Sequence, residues 1–200
     1  DVLRDIFIVT EEFFLPNVSL DVYVKMNRPF YPNFSQEVLD RCLQDFELPL
    51  SLNLNELSMG QKKKAYMSFA LATGTKYLFM DEPTNGLDIP SKSQFRKVIA
   101  NNMTDERMLI ISTHQVHDIE SLLDHIVILN QNNLLLDASV ADICEDYSFE
   151  YRTPAEMDDT VLYAEPTLQG NAVIAKRKAG SRETQMNLEL LFNAAINGKL

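Results

Sequence analysis

Two adjacent acidic residues, Asp81 and Glu82, directly follow the apolar run at residues 77–80. Successive side chains of a strand point in opposite directions, so the two carboxylates cannot do the same work. Carboxylates at the rim of a buried strand are costly to desolvate unless a cation, water or hydrogen bonds compensate them. A magnesium nucleotide would compensate them, with one acid holding a water of the metal and the other accepting a proton from an attacking water. A solvated turn that caps the strand accounts equally well for this pair taken alone.

Three other segments surround the acidic pair in a fixed order. Residues 57–61 read LSMGQ, residues 83–88 read PTNGLD, and His114 follows a second strand-like run at 108–113. These segments resemble the ATP-binding subunits of ABC transporters. In that family the signature motif reads LSGGQ, the Walker B strand and D-loop read as four apolar residues and then DEPTxGLD, and a switch histidine closes the following strand. The resemblance covers roughly residues 6–145 and includes four motifs in order.

The resemblance gives these residues expected roles. Glu82 polarises the attacking water and His114 contacts the γ-phosphate, so these two residues are the expected catalytic pair. Asp81 holds Mg²⁺ through a water. Asp88 belongs to the cofactor-binding residues and communicates across a dimer. The expected cofactors are therefore ATP and Mg²⁺. The expected partners are transmembrane permease subunits and a second nucleotide-binding domain, which makes a homodimer the expected assembly.

The LSMGQ segment also has a physical meaning of its own. Ser58 followed three residues later by Gln61 is a capping box, which predicts that a helix begins at Met59 or Gly60. A helix start presents free N–H groups and a partial positive charge, both of which suit a phosphate. In the ABC family this helix reaches the γ-phosphate bound by the opposite subunit, so all four residues are expected to bind the cofactor. The lysines at 62–64 place three positive charges in the first turns, against the helix dipole, which favours a functional site, with a solvated basic face as the alternative.

The chain departs from the family pattern at three places. Glu11 stands where the family has a glutamine that touches both the metal and the transmembrane partner. A carboxylate coordinates Mg²⁺ as well as an amide oxygen does, so Glu11 is an expected ligand of metal and cofactor, with no functional role as the alternative. Some exporter-type ATPases have Pro-Glu-Glu in this loop, and Glu12 follows here, which favours a functional role for Glu11. The resemblance implies that the intact protein powers export through separate membrane subunits. Met59 replaces a glycine of the signature and adds bulk near the phosphate.

The third departure concerns the phosphate-binding loop. None of the six glycines fits GxxxxGK(S/T), the Walker A loop with which ABC subunits cradle ATP. The chain begins at Asp1 and enters a strand-like run almost at once, so we expect that its natural start has been cut away. We also expect these 200 residues to be inactive alone and to self-associate through uncovered strands and apolar surface.

Strand-like and helix-like segments alternate along the chain and predict an α/β fold. Apolar runs at 6–9, 77–80 and 108–113 are separated by helix-like segments, which predicts parallel strands in a covered sheet. Together with the resemblance, this indicates a partial P-loop NTPase (ABC ATPase) fold with parallel core strands, a helical subdomain and a small C-terminal α+β appendage. The expected domains are a core strand and Q-loop region at 1–17, the helical subdomain with the signature motif at 18–75, the core with Walker B, D-loop and H-loop at 76–146, and the appendage at 147–200.

Apolar spacing and turn residues predict the remaining elements. Ser35 is the expected N-cap of a helix within the interrupted helical segment 19–55. Further predictions are helices at about 60–72 and 90–101, a short amphipathic helix at 116–123, a hairpin over 126–136, strands at 160–164 and 172–176 around a turn at Gly170, and a closing helix over 188–195.

The composition limits the kinds of partner and the location. A net charge of −11 argues against a nucleic-acid partner, because such a partner usually requires a basic face. Cys42 and Cys144 lack metal-ligand spacing and are expected to be buried apolar side chains. His117 and His125 are expected at surface or helix-end positions. Since no apolar run approaches the roughly 18 residues of a membrane span, we expect a cytoplasmic protein held at the inner face of the membrane by permease subunits.

Two other functions compete with this interpretation. One is an ABC-type ATPase with a role outside transport, although such chains usually carry paired cassettes or long coiled coils and this sequence shows neither. The other is a non-catalytic interaction module that only contacts a partner. Residues 147–200 are interpreted as a packing extension, with a regulatory domain as the alternative.

Overall fold

The structure is a computed structural model that describes residues 2–49, 51–178 and 180–200. The chain divides into two compact units, one ending at Asp118 and the other running from Ile119 to Leu200. The hairpin, which lies within the predicted segment 76–146, contacts the closing helix of the second unit. The domain boundaries expected at 17, 75 and 146 stay a prediction.

The first unit alternates strands and helices in the expected order. Its elements are β1 (Ile6–Val9), α1 (Leu20–Asn27), α2 (Gln36–Asp45), α3 (Met59–Ala72), β2 (Tyr77–Asp81), α4 (Ile89–Asn102) and β3 (Met108–Ser112), with 3₁₀ turns at Val2–Asp5, Arg28–Phe30 and Val116–Asp118. The predicted strands and the helices near 60–72 and 90–101 are thus confirmed.

Three parallel strands form the sheet of this unit in the order β1-β2-β3, which confirms the predicted parallel pairing. One face is buried through alternate residues of the strands, including Phe7 and Val9 of β1 and Leu78 and Met80 of β2. All three strands run in the same direction, so their carboxyl ends share one edge of the sheet. Ligands bind at this edge in open α/β sheets.

Helix α3 packs its apolar side chains against this sheet and against the other helices. Phe69 of α3 is 1% exposed and has ring contacts with Phe7 of β1, Tyr23 of α1 and Phe34 before α2, at centroid distances of 5.1–5.9 Å. Ser35 caps α2 as predicted, because its Oγ accepts a hydrogen bond from the Val38 N–H at 3.3 Å. The helices thereby fix where the loops at the sheet edge begin.

The predicted amphipathic helix at 116–123 is wrong. The chain forms two separate 3₁₀ turns there, Val116–Asp118 and Glu120–Leu122. Apolar residues three positions apart fit a 3₁₀ turn as well as an α-helix. The segment is also too short to offset the cost of nucleating an α-helix on its own.

The second unit combines a hairpin, two helices and a three-stranded antiparallel sheet. Its elements are β4 (His125–Asn130), β5 (Asn133–Ser139), α5 (Val140–Asp146), β6 (Tyr147–Arg152), β7 (Val161–Thr167), β8 (Gly170–Lys176) and α6 (Leu188–Ile196), with sheet order β6-β8-β7. The predicted hairpin, the strand pair around Gly170 and the closing helix are confirmed, whereas α5 and β6 were not predicted. Among the described residues, none of the helices has the length and apolar character needed to cross a bilayer.

Candidate functional site

The carboxyl ends of β2 and β3 bring the acidic pair beside the residues that follow β3. Asp81 pairs with Ser112 in the parallel register, and the Glu82 N–H donates to the Ser112 carbonyl at 2.8 Å. Glu82 itself has a backbone φ of +42°, in the left-handed region that residues other than glycine seldom adopt. The chain therefore leaves β2 through a strained turn that begins at Glu82.

Glu82 and His114 lie together, as the sequence predicted. The Glu82 carboxylate accepts hydrogen bonds from Thr113 Oγ1 at 2.7 Å and from the His114 N–H at 2.9 Å, and His114 Nδ1 lies 2.6 Å from its Oε1. The Glu82 side chain is 13% exposed and that of His114 is 75% exposed. The Glu82 carboxylate is thus fixed by the residues that follow β3, while the His114 imidazole faces the solvent.

These contacts determine the charge state of Glu82. Burial raises the pKa of its carboxyl group, but the hydrogen bonds from Thr113 and His114 outweigh burial and hold the pKa below its ordinary value. The carboxylate is therefore ionised near neutral pH and can accept a proton.

Asp81 has a different set of contacts. Its Oδ1 accepts a hydrogen bond from Ser112 Oγ at 2.5 Å, and the residue is exposed. The two neighbouring acids therefore contact different partners, as their alternation along the strand requires. Mg²⁺ usually binds proteins through one or two carboxylates together with water and substrate phosphates, and the exposed Asp81 carboxylate fits that description.

Glu11 contacts the turn after β2. Its Oε1 accepts a hydrogen bond from Asn85 Nδ2 at 2.6 Å, and Asn85 Oδ1 accepts one from Gln115 Nε2 at 3.3 Å. Asn85 thus joins the loops that follow all three strands. Within the described ranges, no group of three or more His, Cys, Asp or Glu side chains forms a metal site, so metal binding by Glu11 and Asp81 stays a prediction.

The start of α3 has the predicted capping box. The Gln61 N–H donates to Ser58 Oγ at 3.3 Å, and the Ser58 N–H donates to Gln61 Oε1 at 3.0 Å, so the helix begins at Met59. Met59 is 68% exposed, and Gly60 is half-buried. A cavity of about 470 Å³ lies beside this helix start; its lining includes Met59, Gly60 and Glu11. The signature segment and the loop after β1 thus meet at one cavity.

The alternative that the lysines at 62–64 form a solvated face is wrong for Lys63. Lys63 is 4% exposed, and its Nζ donates to the backbone carbonyls of Glu82 at 2.7 Å and Asn85 at 2.9 Å. A sequence signal for this position existed. Lys63 precedes the buried Met67 and Ala70 by four and seven residues, which places all three on one helix face.

Burial lowers the pKa of Lys63, and the negative charges of Glu11, Glu82 and Asp81 oppose this effect. Lys63 Nζ thus lies beneath an edge that carries three carboxylates. Sequence reasoning did not identify it as part of the site.

Asp88 has a structural role that was also missed. It is the N-cap of α4, and its Oδ1 accepts a hydrogen bond from the Ser91 N–H at 2.9 Å. Hydrogen bonds from Ser91 lower the pKa of its carboxyl group. The expected role of Asp88 across a dimer stays a prediction.

The other sequence-based expectations concern histidines and cysteines. His117 and His125 are both exposed, as expected, and His125 Nε2 lies 2.7 Å from Asp137 Oδ1. Cys42 and Cys144 are free and buried, also as expected. Burial raises the pKa of the Cys42 thiol to about 12, so this thiol is protonated and unreactive at neutral pH.

The chain is similar to several ATP-binding proteins of transporters. It is 30% identical over 110 residues to the zinc uptake system ATP-binding protein ZurA of Listeria innocua, which covers 54% of this chain and 42% of that protein. It is 23% identical over 143 residues to the ABC transporter ATP-binding protein YtrB of Bacillus subtilis, which covers 71% of this chain and 49% of that protein. The chain thus spans less than half the length of these relatives. No protein-family model matches it.

The fold is also that of a solved protein. The structure of an ATP-binding subunit of an ABC transporter superposes with a TM-score of 0.61 at 22% identity, covering 70% of this chain and 61% of that one. This likeness confirms the predicted ABC ATPase type of P-loop NTPase fold.

Proposed function

We propose that this chain, a homologue of the ATP-binding proteins of ABC transporters over about half its length, takes part in ATP hydrolysis. The hydrolysis would drive transport through separate membrane subunits. The observation that carries this proposal is the contact of Glu82 with Thr113 and His114 at the carboxyl edge of a parallel sheet. An ionised carboxylate and an exposed imidazole at this edge fit a reaction in which water attacks a phosphate.

In this proposal each residue has one task. Glu82 accepts a proton from the attacking water, and His114 contacts the γ-phosphate. Asp81 and Glu11 are the side chains that would hold the metal, which when bound neutralises charge on the phosphates. The Asp88 carboxylate, exposed at the start of α4, communicates with a second domain.

The start of α3 suggests how a second copy takes part. Ser58, Met59 and Gln61 are exposed at the N-terminus of a 14-residue helix, where free N–H groups and the helix dipole favour a phosphate. We propose that this segment, with Gly60, contacts ATP bound by an identical domain, and that permease subunits complete the transporter.

The direction of transport is part of the same proposal. We favour export because Glu11 and Glu12 resemble the loop of some exporter-type ATPases. The relative ZurA is named for zinc uptake, which describes that protein. Transport assays on membrane vesicles of known orientation, with the permease subunits present, separate the two directions.

The test requires a polypeptide that joins these 200 residues to a segment with a GxxxxGK(S/T) loop. We expect Glu82→Gln to lower the ATPase kcat on the order of a hundred-fold or more, since general-base catalysis typically contributes that much, while ATP-driven dimerisation persists. Asp105→Asn is the matched control, because this exposed acid lies before β3, at the opposite end of the strand.

Two outcomes would contradict the proposal. One is undiminished ATP hydrolysis in Glu82→Gln, and the other is an equal loss of activity in Asp105→Asn. We propose that the 200 residues without the added segment do not turn over ATP, and they serve as the baseline in the same assay.

A further inference from the structure

The turn that begins at Glu82 is held from beneath by one buried side chain, Lys63. Its ammonium donates to the carbonyls of Glu82 and Asn85, which are the first and fourth residues of the turn. A buried ammonium is costly unless hydrogen bonds and opposite charges compensate it. Both are present here, because carboxylates of Glu11, Asp81 and Glu82 act on Lys63.

The contact fixes a backbone conformation that Glu82 would not choose alone. The Glu82 N–H is bound to the Ser112 carbonyl and its C=O is bound to Lys63, so both peptide groups of this residue are fixed. Between these two contacts lies the positive φ of +42°. A non-glycine residue keeps such a φ only where its surroundings over-determine it.

The neighbouring lysines cannot do this work. Lys64 Nζ donates to Gln94 Oε1 at 2.8 Å, and Lys62 is half-exposed. Residues 62 and 64 lie on other sides of the helix than residue 63, because successive positions are about 100° apart. Lys63 is thus the member of the trio that faces the turn.

We propose that Lys63 is a positioning residue: its ammonium holds the backbone of Glu82 in the left-handed conformation that directs the carboxylate to Thr113 and His114. This inference rests on the proposed function, because the orientation matters for catalysis only if Glu82 is the base. The contact between Lys63 and the Glu82 backbone does not depend on ATP and can be tested without it.

The first test measures amide hydrogen exchange by NMR on the 200-residue chain. In Lys63→Met the amides of Glu82 and His114, which donate to Ser112 O and to Glu82 Oε1, should exchange faster, on the order of ten-fold, since local opening controls exchange. The amides of Leu78 and Met80 in β2 should not change.

Lys62→Met is the matched control and should leave all these amides unchanged. Unchanged exchange at Glu82 and His114 in Lys63→Met would overturn the inference, as would a uniform acceleration that also includes β2. If Lys63→Met does not fold, the wild-type chain decides. Nitrogen NMR of the lysine side chains should show slow proton exchange at Lys63 Nζ, and exchange as fast as at Lys62 would overturn the inference.

The second test is kinetic and uses the polypeptide with the phosphate-binding segment. Lys63→Met should lower kcat on the order of ten-fold or more and change the KM for ATP by less than about two-fold, because only transition-state stabilisation is lost. An unchanged kcat would overturn the positioning role. If Glu82→Gln is fully active, the proposed function fails, whereas hydrogen exchange still reports whether Lys63 holds the turn.

Discussion

At the scale of single residues, the site combines an ionised acid, Glu82, with backbone groups that are held by hydrogen bonds. Glu82 accepts hydrogen bonds from both residues that follow β3, and its own peptide groups are bound on both sides. Such contacts lock a side chain in one orientation, as the proposed role of Glu82 as a base requires. The same contacts link the stability of the fold to pH.

Glu82 should stabilise the folded chain at pH values above the pKa that its carboxyl group has in the unfolded state. Because its folded pKa is lowered, this contribution is present above about pH 4.5, the ordinary value for a glutamate, and is lost as pH falls through the folded pKa. The free energy of unfolding of the wild type minus that of Glu82→Gln should therefore shrink as the pH falls below 4.5. Urea unfolding followed by circular dichroism measures it, and a difference that grows towards low pH contradicts the prediction.

Local rules predicted some of these residues and missed others. Ser35, Ser58 and the Glu82–His114 pair were predictable, since capping and strand ends depend on residues nearby in sequence. The buried position of Lys63 was missed because lysine is almost never fully buried. The apolar spacing indicated its helix face, but the carbonyls and carboxylates that compensate its charge come from distant parts of the sequence. These tertiary contacts were not visible in the local pattern.

At the scale of elements, α3 contributes to the cavity at its start and to the turn of Glu82. Its first turn is closed by the capping box and borders the cavity, its second carries Lys63, and its later turns hold the aromatic contacts of Phe69. A single helix thus connects the expected phosphate contact with the turn of Glu82 and with the core. Its start is accordingly sensitive to substitution.

Ser58→Ala should lower the free energy of unfolding by about 1 kcal/mol, the typical cost of removing a capping hydroxyl. The Gln61 N–H loses its partner in this variant. Ser58→Thr is the matched control, because it keeps the hydroxyl, and we expect a change of a few tenths of a kcal/mol or less. Urea unfolding by circular dichroism checks both variants, and equal stability of Ser58→Ala and wild type would show that this cap does not stabilise α3.

At the scale of the molecule, the first unit leaves one sheet face uncovered. Ile8, Met108 and Ile110 are 54%, 54% and 42% exposed. Ile8 and Ile110 flank Phe79 across the register, so their side chains form a continuous apolar surface. Apolar surfaces of this kind are typical of sites that associate with another protein surface.

We expect the 200-residue chain to self-associate through this face at micromolar concentration. Ile110→Lys should shift it towards the monomer, because a charge within the face must be desolvated in the complex. Leu168→Lys, at a fully exposed apolar residue of the second unit, is the matched control and should not change the assembly. Light scattering measures the mass, and a monomeric wild type would contradict the prediction.

The side chain of Asn85 joins the loops after β1 and β3 to the turn after β2. An amide has donors and acceptors but takes up no proton near neutral pH. Both contacts therefore stay available to the amide whatever its own surroundings do to nearby protons. We expect that a molecule that displaces Glu11 also removes the hydrogen bond that orients the Asn85 side chain towards Gln115.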